Sequence, residues 1–166
     1  MKKFKNAILL SALVSVSACS NSGNPFGGSS NDPIFGNSMG DVSNPTSPAY
    51  FQEAIGDRVL FAIDQSSLGP EAMDLLNSQA TWLMTNGDYK IIVEGHADEQ
   101  GTRDYNVALG ARRANSVKEY LNSLGVAATR IKTVSYGKER PIEICSKESC
   151  YSVNRRAVTV LNNLGS

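Results

Sequence analysis

Histidine is almost absent from this chain, since His96 is the single copy among 166 residues. A zinc site needs three or four protein ligands, and no second histidine is available to complete one around His96, Asp98 and Glu99. The sequence also lacks a serine in a GxSxG elbow and a glycine-rich phosphate loop. It therefore predicts no metal, no cofactor and no catalytic nucleophile.

A surplus of positive charge is missing as well. The 16 basic residues equal the 16 acidic ones, and Lys2, Lys3 and Lys5 all lie in the first few positions. The remainder is mildly acidic, whereas nucleic-acid binding needs clustered basic residues. We therefore expect no nucleic-acid partner.

Long hydrophobic runs are missing too. The apolar stretch from Ala7 to Val16 is too short for a stable membrane span. With the basic start MKKFK and the small pair Ser17-Ala18, it predicts an export signal at residues 1–18. The sequence VSAC, ending at Cys19, matches the lipobox of bacterial lipoproteins and predicts lipidation of Cys19. The alternative is an ordinary cleavable signal followed by an unrelated cysteine. Ser20, in place of aspartate, favours the outer membrane.

Only two cysteines remain, Cys145 and Cys150. In an exported protein they are expected to form a disulfide, with a metal site or a redox pair as the alternatives.

A flexible linker is predicted at residues 19–48, because this stretch is rich in Ser, Gly, Asn and Pro and poor in large apolar residues. Residues 49–163 are expected to form one domain.

The apolar patterns of that domain predict four strands and two long helices. In chain order they are a strand at 58–63, a helix from Pro70 that Asn86-Gly87 ends, a strand at 90–95, a helix at 102–124 that Gly125 ends, a strand at 131–136, a loop at 137–151 and a strand at 156–161. Two crossovers of helical length imply parallel neighbouring strands. The prediction is a two-layer α/β sandwich with its helices on one face.

One face of the 102–124 helix carries a charge among apolar residues. Its members recur at helical spacing: Asn106, Leu109, Arg113, Ala114, Val117 and Leu121. A buried Arg113 needs an anion, and Asp98 just before the helix is a candidate. Asp64 also ends a strand, so two carboxylates and an arginine are expected on one rim. Arginine binds carboxylates and aspartate binds ammonium groups, so the predicted ligand is a small zwitterion.

Other interpretations remain open. Asp98 and Arg113 could be a purely structural ion pair, and Asp98 or Asp104 could cap the helix. Asn154-Arg155-Arg156 could contribute to the rim or act as an exposed edge charge that prevents aggregation.

The central segment resembles a known family. NVALGARRANSVKEYL, beginning at Asn106, is similar to the peptidoglycan-binding signature of OmpA-like domains, N-x2-L-[SG]-x2-R-A-x2-V-x3-L. EGHADEQGTRDYN resembles the family segment EGxTDxxGxxxYN, with Ala97 where threonine is common, and VSYGKERP and NRRAVTV also match. The resemblance covers residues 55–162.

The resemblance implies an α/β, two-layer OmpA-like sandwich (β-α-β-α-β-β) with helices on one face of a mixed sheet. It implies binding to the meso-diaminopimelate of the peptidoglycan stem peptide, by Asp98 and Arg113. The neighbourhood of Asp64 would add backbone contacts, and Asn106 and Leu109 would line the pocket.

For a lipoprotein of this kind the resemblance also implies anchorage to the periplasmic face of the outer membrane. The implied partners are TolB and TolA, and the implied role is to draw the outer membrane inward during division. Ile63, where many members have phenylalanine, is a departure. The alternatives are another envelope-anchoring lipoprotein of the family, or a cell-wall hydrolase using Glu94, His96, Asp98 or Glu99.

Overall fold

The computed structural model describes residues 40–162, so the expected signal sequence, Cys19 and most of the expected linker lie outside the described residues. Its elements are α1 (Pro48–Tyr50), a π-helical turn (Phe51–Gly56), β1 (Arg58–Leu60), α2 (Pro70–Thr85), β2 (Lys90–His96), α3 (Arg103–Ser123), a 3-10 turn (Ala128–Arg130), β3 (Ile131–Gly137), α4 (Glu148–Asn154) and β4 (Arg156–Asn162). Among these helices, none is long and apolar enough to cross a bilayer.

The four strands form one mixed sheet in the order β1-β4-β2-β3. β2 and β3 are parallel neighbours, as the crossover rule predicts. The expectation that β1 and β2 are also neighbours is wrong, because β4 lies between them and pairs antiparallel with both. Hydrogen bonds to both of its edges make the last strand of the chain a central strand.

The core lies between one face of this sheet and the helices α2 and α3, so the two-layer sandwich is confirmed. Ala157 of β4 pairs with Val59 on one side and Gly95 on the other. The strands contribute Val59, Ile91, Val93, Ile131 and Ala157 to the core, and the helices contribute Ala72, Leu76, Ala80, Trp82, Leu83, Ala114, Val117 and Leu121.

β1 is shorter than predicted. Its partner β4 begins at Arg156, opposite Leu60, so no strand pairs with the chain beyond that point. The backbone turns instead, and Asp64 takes a left-handed conformation with φ 56°.

The ends of the helices follow the predicted signals in part. Pro70 begins α2, and Gly125, with φ 104°, follows α3. Asn86 caps the end of α2, its N–H bonding to the Trp82 carbonyl, and Gly87 does not have the left-handed backbone often found after a helix.

Two local predictions are wrong. Thr102, rather than Asp98 or Asp104, caps α3 by accepting a hydrogen bond from the backbone N–H of Tyr105. The predicted loop 137–151 contains the start of α4, a short and mostly polar helix whose sequence shows no apolar periodicity. The structure joins Cys145 to Cys150 by a disulfide across the beginning of this helix.

The packed region begins before the expected boundary at residue 49. Trp82 Nε1 donates to the Pro45 carbonyl at 2.7 Å, the Tyr89 hydroxyl donates to the Thr46 carbonyl at 3.3 Å, and Ser47 is buried. The last residues of the stretch assigned to the linker therefore pack against α2 and its following turn.

Candidate functional site

A cavity of about 230 Å³ lies where the chain leaves β1 and β2 and enters α3. Its walls are Ile63 and Asp64 after β1, Asp98, Gln100 and Gly101 after β2, and Tyr105, Asn106, Leu109 and Arg113 of α3. The five residues predicted from the sequence as binding residues are all among them. Strand ends and helix N-termini are the usual place for ligands in α/β folds.

The wall formed by α3 follows from helical spacing. Asn106, Leu109 and Arg113 recur every three or four residues and are all buried. The Asn106 side-chain amide donates to the Gln100 carbonyl at 2.7 Å, which fixes the loop after β2 against the helix. One helix face therefore supplies an amide, an apolar surface and a guanidinium to the same cavity.

Arg113 does not form the predicted direct ion pair with Asp98. Its Nε, Nη1 and Nη2 atoms donate to the backbone carbonyls of Gln65, His96 and Ala62 at 2.8, 2.7 and 3.2 Å. Three acceptors replace the anion that burial was expected to require. A guanidinium has five N–H groups, and these bonds use three of them.

The charge of Arg113 is held in a desolvated place. Burial lowers its pKa to about 10, and the nearby negative charge of Asp98 opposes that shift. The side chain is therefore still a cation at neutral pH. A cation with little competing water binds a carboxylate more strongly than an exposed one.

Asp98 is paired with Arg155, an arginine whose role the sequence analysis left undecided. Arg155 Nη1 donates to Asp98 Oδ2 at 3.2 Å, and the Gln100 backbone N–H donates to Asp98 Oδ1 at 3.1 Å. The exposed edge charge proposed for Asn154-Arg155-Arg156 is wrong, because all three residues are buried and β4 is a central strand. Arg155 is adjacent to the cavity only through its contact with Asp98. The position of Arg155 directly before the last strand was the only sequence signal for this role. Its pairing with Asp98 depends on where β4 lies in the sheet.

Asp64 forms the outer wall of the cavity. Its left-handed backbone is uncommon for a residue with a side chain, and such conformations often occur at functional sites. Its carboxylate accepts a hydrogen bond from the Tyr105 hydroxyl, so loop and helix are joined across the mouth. Ile63 beside it is 60% exposed and offers an apolar edge.

The groups considered for a hydrolase are not arranged for one. His96 is buried outside the cavity, and neither of its ring nitrogens has a hydrogen-bond partner among the described residues. Burial and the positive charges of Arg156 and Arg140 lower the pKa of His96 to about 4. Glu99 Oε1 accepts hydrogen bonds from the hydroxyls of Ser146 and Tyr151. Within residues 40–162, no three His, Cys, Asp or Glu side chains lie together as metal ligands.

The cavity therefore combines charges of both signs without a reactive pair. The carboxylates of Asp64 and Asp98 and the guanidinium of Arg113 line it, and Arg155 lies behind Asp98. Such a balanced site can hold an ammonium group and a carboxylate of one small molecule.

Comparison with known proteins gives a consistent result. The sequence profile of the OmpA family matches residues 60–156. A peptidoglycan-associated lipoprotein of Mesorhizobium japonicum is 46% identical over 96% of this chain and 92% of its own length. A protein of the same name from Agrobacterium fabrum is 51% identical over 74% of this chain and 70% of its own.

A solved structure supports the same grouping. The crystal structure of the peptidoglycan-associated lipoprotein from Burkholderia pseudomallei superposes with a TM-score of 0.65 at 34% identity, covering 73% of this chain and 98% of that one. These relatives are named as lipoproteins associated with peptidoglycan and not as enzymes. The chain therefore belongs to the OmpA family and, within it, to the peptidoglycan-associated lipoproteins.

Proposed function

We propose that this protein is an outer-membrane lipoprotein that holds the cell wall by binding the meso-diaminopimelate of the peptidoglycan stem peptide. The observation that carries the proposal is the convergence of Asp64, Asp98, Asn106, Leu109 and Arg113 on one cavity. Diaminopimelate carries an ammonium group and a carboxylate on the same carbon. The Asp98 carboxylate accepts hydrogen bonds from the ammonium group, and the two remaining N–H groups of Arg113 donate to the carboxylate.

The rest of the cavity suits the remainder of such a ligand. Leu109 and the exposed edge of Ile63 contact its methylene chain, and the hydrogen bond from Tyr105 holds Asp64 at the mouth. The attachment is non-covalent and reversible. No bond of the peptidoglycan is broken.

A sedimentation experiment tests this function. The full chain in mild detergent is mixed with insoluble sacculi and centrifuged, with free meso-diaminopimelate as competitor. We expect wild-type protein to pellet and the competitor to release it. Asp98→Asn, which keeps the shape of the side chain and removes its charge, is expected to bind at least about tenfold more weakly.

Asp104→Asn is the matched control, because Asp104 is exposed on the first turn of α3 and outside the cavity. It is expected to pellet like wild type. Arg113→Lys retains the charge but loses the planar set of guanidinium donors, so it should also bind weakly. Its melting temperature must be measured as well, because Arg113 donates hydrogen bonds to three backbone carbonyls. Equal pelleting of Asp98→Asn and wild type would refute the proposed site.

The partners proposed for this lipoprotein are TolB and TolA, with a role in drawing the outer membrane inward at division. Support comes from its membership among the peptidoglycan-associated lipoproteins. Affinity capture from cross-linked cells should recover TolB. Recovery of a different envelope complex without TolB would favour another anchoring lipoprotein of the family.

A further inference from the structure

Two internal connections stabilise the segment between β3 and β4: a set of side-chain hydrogen bonds and a disulfide. The side-chain amide of Asn154 accepts the backbone N–H groups of Ile142 and Glu143 at 2.8 and 3.2 Å, and it donates to the Glu143 carbonyl at 2.8 Å. The disulfide from Cys145 to Cys150 closes the intervening turn. We call residues 140–155 the disulfide segment; it contains α4.

The disulfide segment ends in Arg155, which contacts both loops that form the cavity. Arg155 Nη1 lies 3.2 Å from Asp98 Oδ2, in the loop after β2. Arg155 Nε donates to the Phe61 carbonyl at 3.2 Å, and the Phe61 N–H donates back to the Arg155 carbonyl at 2.9 Å. Phe61 leads directly into Ile63 and Asp64, the other wall.

Glu148 of α4 binds the same guanidinium on the side away from Asp98. Its two carboxylate oxygens accept hydrogen bonds from Nη1 and Nη2 of Arg155. Although burial alone would lower the pKa of Arg155, the hydrogen bonds that it donates to Glu148 and Asp98, together with their negative charges, outweigh burial and raise that pKa. The guanidinium is thus oriented between one carboxylate outside the cavity and one inside it.

A second connection runs parallel to the first. Glu99, the residue after Asp98, accepts hydrogen bonds from Ser146 Oγ at 3.1 Å and from the Tyr151 hydroxyl at 2.9 Å. Ser146 directly follows Cys145 in the chain, so the disulfide restrains the backbone that carries this contact. The loop that carries Asp98 is therefore hydrogen-bonded to the disulfide segment through both Glu99 and Asp98.

We propose that Glu148 and Arg155 are positioning residues for ligand binding, and that the Cys145–Cys150 disulfide holds them in place. Glu148 orients Arg155, and Arg155 sets the direction in which the Asp98 carboxylate faces the cavity. Neither Glu148 nor the cysteines line the cavity, so their effect on a ligand is indirect. This inference rests on the proposed binding function and identifies residues outside the cavity that affect its affinity for the ligand.

The test compares Glu148→Gln with Glu143→Gln in the full chain. Both variants remove one exposed carboxylate from the disulfide segment, but only Glu148 contacts Arg155. We expect Glu148→Gln to bind sacculi about fivefold more weakly and Glu143→Gln to bind like wild type. Arg155 itself is not the first choice, since its removal would strand a buried Asp98 carboxylate and endanger folding.

The backbone amide of Gln100 provides a readout that does not need a ligand. It donates to Asp98 Oδ1 at 3.1 Å, so its nuclear magnetic resonance shift reports the orientation of that carboxylate. We expect this resonance to move in Glu148→Gln and to stay in place in Glu143→Gln. An unmoved resonance in Glu148→Gln would overturn the inference, even if wild-type protein bound sacculi well.

The two proposals can fail separately. If wild-type protein does not bind sacculi while the Gln100 resonance moves as expected, the binding function is wrong and the positioning is right. The double variant Cys145→Ser, Cys150→Ser is expected to shift the same resonance and weaken binding about threefold. Wild-type affinity and an unmoved resonance in that variant would overturn the role given to the disulfide.

Discussion

Buried arginines around the cavity are stabilised in two different ways. Arg113 donates to three backbone carbonyls, whereas Arg155 is placed between the carboxylates of Asp98 and Glu148. The carbonyls that Arg113 contacts belong to the turn after β1 and to the end of β2, and a guanidinium that has hydrogen-bond acceptors loses less by burial than an unpaired one. Arg113 therefore serves both the fold and the ligand, and its replacement is expected to affect both.

The lowered pKa of His96 predicts a dependence of stability on pH. Because its pKa is lowered from 6.5 to about 4 by burial and by Arg156 and Arg140, the folded protein holds it neutral where the unfolded chain protonates it. The unfolded state thus binds more protons in this window, and stability falls as the pH falls. We expect the free energy of unfolding to drop by about 2 kcal/mol between about pH 7.5 and pH 5.

Urea unfolding across that pH range measures the effect. As the chain has a single histidine, His96→Phe, which keeps a ring at the buried position, should remove the slope between about pH 7.5 and pH 5. A slope that persists in His96→Phe would show that other groups produce it.

At the scale of elements, α3 approaches β2 until their backbones touch. A Cβ atom built on Gly95 would lie 1.8 Å from the Gly110 carbonyl oxygen, and one built on Gly110 would lie 2.8 Å from the Gly95 oxygen. Two glycines facing each other thus set the depth at which α3 packs on the sheet. That depth brings Asn106 and Arg113 to the strand ends.

Gly95→Ala is expected to destabilise the domain by about 3 kcal/mol or more, because backbone atoms on both sides must separate. Gly87→Ala is the matched control, since a Cβ there would meet nothing within 4 Å. We expect that control to change stability by less than about 0.5 kcal/mol. Denaturant midpoints compare the two, and similar values would show that the contact between Gly95 and Gly110 can relax.

At the scale of the whole molecule, the last strand of the chain completes the site. β4 inserts between β1 and β2, which places the residue before it, Arg155, between the two loops of the cavity. The side chain proposed to orient Asp98 therefore reaches the site only in the folded chain. Truncation before β4 would remove a central strand and the partner of Asp98 together.

The proposed anchor and the proposed wall site are separable parts of one molecule. Cys19→Ala should release the protein from the membrane fraction, because stable attachment needs the acyl chains. The same variant should still sediment with sacculi, since no residue of the cavity is changed. Cell fractionation followed by sedimentation measures both, and retention of Cys19→Ala in the membrane fraction would contradict lipidation at that cysteine.

Local sequence determined a large share of this protein. The spacing of Asn106, Leu109 and Arg113 predicted the helix face, and the polar turns after two strands predicted Asp64 and Asp98 as its counterparts. These features depend on the chain's short-range periodicity, which is visible without a fold. The five residues named from the sequence all line the cavity.

Tertiary structure alone decided which charges meet. Asp98 pairs with Arg155, 57 positions away, instead of with Arg113, and α4 lies where a loop was predicted. The Asp98–Arg155 pairing follows from the insertion of β4 between β1 and β2, a pairing between strands that are distant in sequence. Strand order depends on long-range hydrogen bonds and packing, and no local periodicity records it.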